Sequence, residues 1–122
     1  ENQPEIAKQI LDRNDVDINL KNQRDATALL IAIVNNQPEI AKQILDKDDL
    51  DINIQNKGGR TALMVAINKK LPKIATKILK KPAINVKLKD NNGITALEYA
   101  NQLHQKAIAK EIRKKAKEDD RI

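Results

Sequence analysis

The feature that most constrains this chain is a phrase that returns at a fixed interval. Asp25-Ala26-Thr27-Ala28-Leu29-Leu30-Ile31-Ala32 is matched by Gly59-Arg60-Thr61-Ala62-Leu63-Met64-Val65-Ala66, and again by Gly93-Ile94-Thr95-Ala96-Leu97-Glu98-Tyr99-Ala100. Thr27, Thr61 and Thr95 stand 34 residues apart. A second phrase keeps the same register: Pro4 to Leu11, Pro38 to Leu45, Pro72 to Leu79, and Lys106 to Arg113. A period of this size marks a stack of repeated units, none of which can bury its apolar face alone. The composition agrees. The 122 residues include one Tyr and no Phe or Trp. Ile, Leu, Ala and Val spread evenly along the chain suit thin layers better than one thick core built on aromatic bulk.

Each unit reads as two short helices and a connector. Thr61 is placed to cap a first helix, its hydroxyl accepting from an N–H of the opening turn. Leu63, Ala66 and Ile67 follow at i, i+3 and i+4 as one apolar stripe. Asn68 to Leu71 interrupts the pattern, and Pro72 suits the first turn of a second helix, where its missing N–H costs nothing. Ile74, Ala75, Ile78 and Leu79 supply that helix's apolar face. Helices of about ten residues do not persist alone in water, so each needs its neighbours. In the connector, Ile18/Leu20, Ile52/Ile54 and Val86/Leu88 alternate with polar residues, which predicts an extended segment with one buried side. Gly59 and Gly93 fall where a tight turn requires positive φ. Asp25 holds the same place in the first connector, and Asp tolerates the left-handed region better than most residues.

Two families have periods this close. Tetratricopeptide repeats carry aromatic packing positions and a Pro near the end of the unit. This chain lacks the aromatics, has Pro at the start of its second helix, and inserts a long finger between units. Ankyrin repeats have 33 residues and a Thr-Pro-Leu-His-x-Ala phrase at the first helix. Thr27 to Ala32 and Thr61 to Ala66 resemble that phrase. Glu39 to Leu45 and Asp51-Ile52-Asn53 resemble the family's second helix and following loop, with the extra residue falling in Asp46 to Leu50. The chain is therefore identified as a member of the ankyrin-repeat family over essentially its whole length.

The resemblance implies a mainly α solenoid of stacked helix-turn-helix units with protruding hairpin or loop fingers. The single domain spans 1–122, with a partial copy at about 1–22, copies at 23–56 and 57–90, and a C-terminal cap at 91–122, about three and a half repeats. Some positions depart from the family pattern. Its Pro is Ala28, Ala62 or Ala96, and its His is Leu30, Met64 or Glu98, so its Thr–His hydrogen bonding is absent. Thr95 and Glu98 have the spacing of a capping box instead. The Gly between helices is Asn36, Lys70 or His104, which puts a left-handed turn in question there, least for Asn36. In the last copy Ile33 and Ile67 become Asn101, and Leu45 and Leu79 become Arg113, as a capping repeat requires. Arg113 to Lys117 complements a helix C-terminal dipole. The first copy begins at its second helix with Leu11 apolar. These two ends predict a natural C-terminal cap and a parent chain continuing upstream of Glu1.

Little in the sequence points to catalysis. Without Ser or Cys no Ser or Cys nucleophile can be assembled. One His without Cys makes no zinc site of ordinary composition. His104 falls in the last interhelical turn and receives no catalytic role. The glycines match neither a P-loop nor a dinucleotide fingerprint. Asp46, Asp48, Asp49 and Asp51 lack the Gly and terminal Glu of a calcium loop and read as a solvated loop. Tyr99 aligns with Ile31 and Val65, so it is read as a packing residue. No enzyme activity, metal or cofactor is expected.

The net charge of +6 hides an asymmetry: residues 1–56 carry 6 basic and 11 acidic side chains, residues 57–122 carry 17 and 6. The family resemblance implies a concave protein-binding surface made of finger tips and first helices. By alignment it comprises Gln23, Arg24, Ala26, Val34 and Asn35, then Lys57, Gly58, Arg60, Asn68 and Lys69, then Asn91, Asn92, Ile94, Gln102 and Leu103. Lys57, Arg60 and Lys69 would favour an acidic protein partner. The alternative is a polyanion, nucleic acid or anionic membrane, held by the basic half. Against single-strand binding stands the lack of stacking aromatics. A monomer is expected, in a cytoplasm, or delivered into a host's if the parent is a bacterial effector.

Overall fold

A computed structural model describes residues 17–120, with side chains to residue 118. The phrase from Pro4 to Leu11 therefore lies outside the described residues. Six helices follow in order: α1 (Ala28–Val34), α2 (Pro38–Leu45), α3 (Ala62–Asn68), α4 (Pro72–Leu79), α5 (Ala96–Gln102) and α6 (Lys106–Asp120). They form two layers. Within a repeat α1 packs on α2, α3 on α4, and α5 on α6. Between repeats α1, α3 and α5 stack on one another, as do α2, α4 and α6.

Each first helix opens on its Thr. The Oγ1 of Thr27, Thr61 and Thr95 accepts from the N–H of Leu30, Met64 and Glu98, each at 3.3 Å. The capping box in the last repeat is complete, with Glu98 Oε1 accepting from the Thr95 N–H at 3.2 Å. The burial of α3 is broader than the stripe that periodicity predicts: Ala62 to Ile67 are all buried. α3 has α1 on one side, α5 on the other and α4 beneath, so little of it meets water. Ala at 28, 32, 62, 66, 96 and 100 keeps these helices slim enough to stack. The second helices begin on Pro38 and Pro72 without a side-chain cap. In the last repeat Gln105 precedes the helix, and its amide donates to the Ile67 carbonyl at 2.8 Å.

The turns between helices are left-handed in all three copies. Asn36, Lys70 and His104 have φ of 56°, 57° and 58°. The doubt attached to Lys70 and His104 is thereby resolved, and the reason is hydrogen bonding. Gln37, Leu71 and Gln105 donate N–H back to Ala32, Ala66 and Ala100, while Asn36, Lys70 and His104 donate to Ile33, Ile67 and Asn101. That double closure of a helix end holds a non-glycine residue in the left-handed region.

The connectors depart from the expected alternation. Ile18, Ile52 and Val86 are buried, but Leu20 is 60 % exposed, and Ile54 and Leu88 are only half-buried. The chain turns at Ile18-Asn19 and Ile52-Asn53 instead of running extended, which breaks the two-residue period. The one β-bridge among the described residues joins Lys89 and Thr95. At the last repeat, Asn101 and Arg113 are exposed where Ile33, Ile67 and Leu45 are covered.

Candidate interaction surface

The fingers close on side chains as well as backbone. Asn22 Oδ1 accepts from the N–H groups of Arg24 and Ala26, and Asp90 Oδ1 from Asn92 and Ile94. Asn56 Oδ1 accepts from Arg60. Asp25, Gly59 and Gly93 turn the tips with φ of 59°, 78° and 77°, as their positions in the repeat predict.

Two hydrogen-bond ladders with the period of the repeat hold neighbouring units in register. At the finger tips the Lys57 N–H points to the Arg24 carbonyl at 3.4 Å, and one repeat later the Asn91 N–H donates to Gly58 at 2.9 Å. The Asn91 amide also donates to the Lys57 carbonyl at 2.6 Å. On the far side of each connector, Asn19 bridges the Asp49 carbonyl and the Asp51 N–H; Asn53 does the same with Ala83 and Asn85. Sequence reasoning missed Asn19 and Asn53. Their signal was the phrase Asp17-Ile18-Asn19, repeated as Asp51-Ile52-Asn53.

Of the predicted surface residues, Gln23, Arg24, Ala26, Val34 and Asn35 come together around a depression of about 590 Å³. Ile31, Leu30 and the base of the next finger at Asn56 complete it. Val34 is 49 % exposed there. Lys57, Gly58 and Asn91 meet at the finger ladder, with Asn92 exposed beside them. Ile94 and Leu103 are half-buried against the core. Leu103 also lines a separate depression with Lys70, Pro72 and Lys106, at the interhelical turns. Asn68, Lys69 and Gln102 occupy the ends of α3 and α5, with Lys69 and Gln102 exposed.

Arg60 has an internal role that alignment does not reveal. Its guanidinium carbon lies 5.9 Å from the centre of the Tyr99 ring, within the range of cation–π attraction. The Tyr99 hydroxyl donates to the buried Asp90 carboxylate. Tyr99 thus does more than pack. Its hydrogen bond, aided by backbone donors and the Arg60 charge, holds the Asp90 carboxyl below its ordinary value. The same bond, together with burial, raises the Tyr99 phenol above its own. The sequence carries a signal for this too. Asn22 and Asn56 give way to Asp90 in the one repeat where Ile31 and Val65 give way to Tyr99.

The buried polar side chains among the described residues are Thr27, Thr61 and Asp90. All three hold backbone or Tyr99, so none projects free into a cleft. No group of three or more acidic, His or Cys residues among the described residues is arranged to hold a metal. No helix there is long and apolar enough to cross a membrane.

This geometry agrees with comparisons against known proteins. Among curated proteins the sequence finds no match. Among solved structures it is similar to EF0377, an ankyrin repeat protein, at 30% identity with a TM-score of 0.73 over 90% of this chain. The alignment takes in 57% of that protein, so this chain spans little more than half its length. The family model for ankyrin repeats, in three copies, matches residues 1–90 and 50–121. With Thr-capped first helices, left-handed turns and fingers recurring in one register, the chain belongs to the ankyrin-repeat family.

Proposed function

We propose that the domain is a non-catalytic module that binds another protein on the surface between its finger tips and first helices, and that the bound segment is acidic. Ankyrin repeats are in general protein-interaction modules. The observation that carries the site is the depression lined by Gln23, Arg24, Ala26 and Val34. It combines exposed apolar area at Val34 with the exposed cation of Arg24 beside it. The finger ladder then joins this repeat to Lys57 and Asn91. A surface tied in this way loses little freedom on binding, so a few anchors suffice for affinity. Lys57 and Lys69 favour carboxylates through association rate and partner choice. A cytoplasmic setting, the cell's own or a host's, accompanies this reading, with the domain acting as a monomer.

The test is capture of a protein from lysate with and without nuclease, its identification, and rebinding of the purified partner. Arg60 is left unchanged, because reversing it disturbs Tyr99 and Asp90 as well as the surface. Val34→Asp and the pair Lys57→Glu/Lys69→Glu each weaken rebinding tenfold or more, roughly the loss of one good contact. Rebinding at wild-type strength in both variants refutes the site, and capture abolished by nuclease refutes the class of partner.

A further inference from the structure

The layer of second helices carries a different surface, on the side away from the fingers. In α4 the buried residues are Ile74, Ala75, Ile78 and Leu79, which leaves Lys73 and Lys80 pointing outward and exposed. In α6 the buried residues are Ile108, Ala109 and Ile112, which turns Lys110, Lys114 and Lys117 outward at i, i+4 and i+7. The two rows meet. Lys80 at the C-cap of α4 and Lys114 and Lys115 of α6 line one shallow depression, tempered by Glu111 and Glu118. Thr76 and Leu79 complete its lining, which includes no finger or first-helix residue.

The charge of this layer changes sign along the stack. α2 and its following loop carry Glu39, Asp46, Asp48, Asp49 and Asp51 against Lys42 and Lys47, with Lys42 paired to Glu39. Lys77 of α4 marks the boundary, paired with Asp46 at 2.8 Å. That pairing keeps the Asp46 carboxyl below its ordinary value. Beyond it, lysines dominate α4 and α6.

We propose that the lysine face of α4 and α6 is a second docking surface, which adsorbs to an anionic lipid surface by electrostatics alone. Charge complementarity identifies the occupant's sign, and shape identifies its kind. α4 and α6 pack side by side and carry Lys73, Lys80, Lys110, Lys114 and Lys117 exposed on them or at their ends, an arrangement suited to a planar sheet of headgroups. A duplex is a cylinder and meets such a face along one line, leaving most of the lysines short of a phosphate. The large apolar residues exposed among the described ones, Leu20 and Val34, lie elsewhere, so the surface adsorbs without inserting. The acidic end of the layer is repelled, which tips the domain onto its α6 end and leaves the finger side free.

The experiment is vesicle co-sedimentation of the whole chain. The vesicles are phosphatidylcholine alone, or with roughly 30% phosphatidylserine, at about 50 and 500 mM salt. Two variants have equal net charge: Lys73→Gln/Lys80→Gln/Lys114→Gln on the outer face, and Arg24→Gln/Lys57→Gln/Lys69→Gln on the finger side. Each basic residue near an anionic surface contributes about fivefold, so the outer variant, which loses three, falls on the order of a hundredfold in partitioning. The finger-side variant loses less than about threefold, since its charges do not face the lipid and salt screens their reach. High salt abolishes binding. Equal loss in the two variants overturns the proposal, because net charge alone then explains adsorption. So does absence of binding to anionic vesicles at low salt, or a preference for a mixed-sequence duplex over these vesicles at equal negative charge.

Discussion

The side-chain amide of Asn91 donates to the carbonyl of Lys57 at 2.6 Å, one full repeat back along the chain. The backbone N–H of Asn91 meanwhile donates to Gly58 at 2.9 Å. One residue therefore fixes the tip of one finger against the next, and it brings its backbone against the neighbouring Gly59.

Gly59 meets two demands at once. Its φ is +78°, and a Cβ built there would fall 2.7 Å from the Asn91 backbone nitrogen. Gly93 has φ of +77° but open space around it. Gly59→Ala is expected to destabilise by about 2–4 kcal/mol, Gly93→Ala by about 1–2 kcal/mol, the left-handed cost alone. Urea unfolding of the two variants side by side checks the difference; equal losses would mean that the fingers are not packed as described.

Asn53 makes two hydrogen bonds to the following repeat, accepting from the Asn85 N–H and donating to the Ala83 carbonyl. Asn53→Ala removes both and is expected to cost about 1–3 kcal/mol. The loss falls on the interface between repeats. The unfolding transition should broaden as cooperativity weakens, and hydrogen exchange in α5 and α6 should separate from that in α1 and α2.

Lys70 and His104 pay for left-handed backbone that glycine adopts without strain. Lys70→Gly and His104→Gly are each expected to stabilise by about 0.5–1 kcal/mol, the strain relieved less the extra freedom of the unfolded chain. Asn36→Gly gains less, since Asn already tolerates the region. Denaturant midpoints of the three variants give the order directly.

The Tyr99–Asp90 bond makes stability depend on pH. Asp90 titrates below its ordinary value of 3.8 in the folded chain. Its contribution is therefore present above that value and lost as pH falls through the lower, folded one. Tyr99 titrates above 10.0. Its contribution is present below that value and lost as pH rises through the raised one. Tyr99→Phe keeps the ring under Arg60 but removes the hydroxyl, the largest influence on Asp90. The variant is expected to be less stable at neutral pH, with a shallower acid limb and no alkaline limb from this site. Thermal unfolding across the pH range reads all three.

What the sequence conveyed follows from what repetition averages. Thr27, Thr61 and Thr95 do one job in three copies, so their role was legible. So were the positive-φ finger turns at Asp25, Gly59 and Gly93 and the polar cap positions Asn101 and Arg113. The Arg60–Tyr99–Asp90 contact occurs once, between residues whose counterparts are Ala26, Ile31 and Asn22, and alignment erases what happens once. Leu20 was misleading for a different reason. Its N–H turns back toward the Asp17 carbonyl at 3.2 Å, so the alternation that would bury it never extends that far. The surface list rests on the family resemblance alone, since exposure does not separate Lys57 on the finger side from Lys73 on the other.

Hydrogen exchange of the domain in complex with the identified partner shows which face the partner covers. Added protection is expected at the finger tips (22–26, 56–60 and 90–94) and along α1 and α3, with α4 and α6 unchanged. Protection confined to α4 and α6, with the fingers exchanging as in the free domain, would contradict a finger-side binding surface.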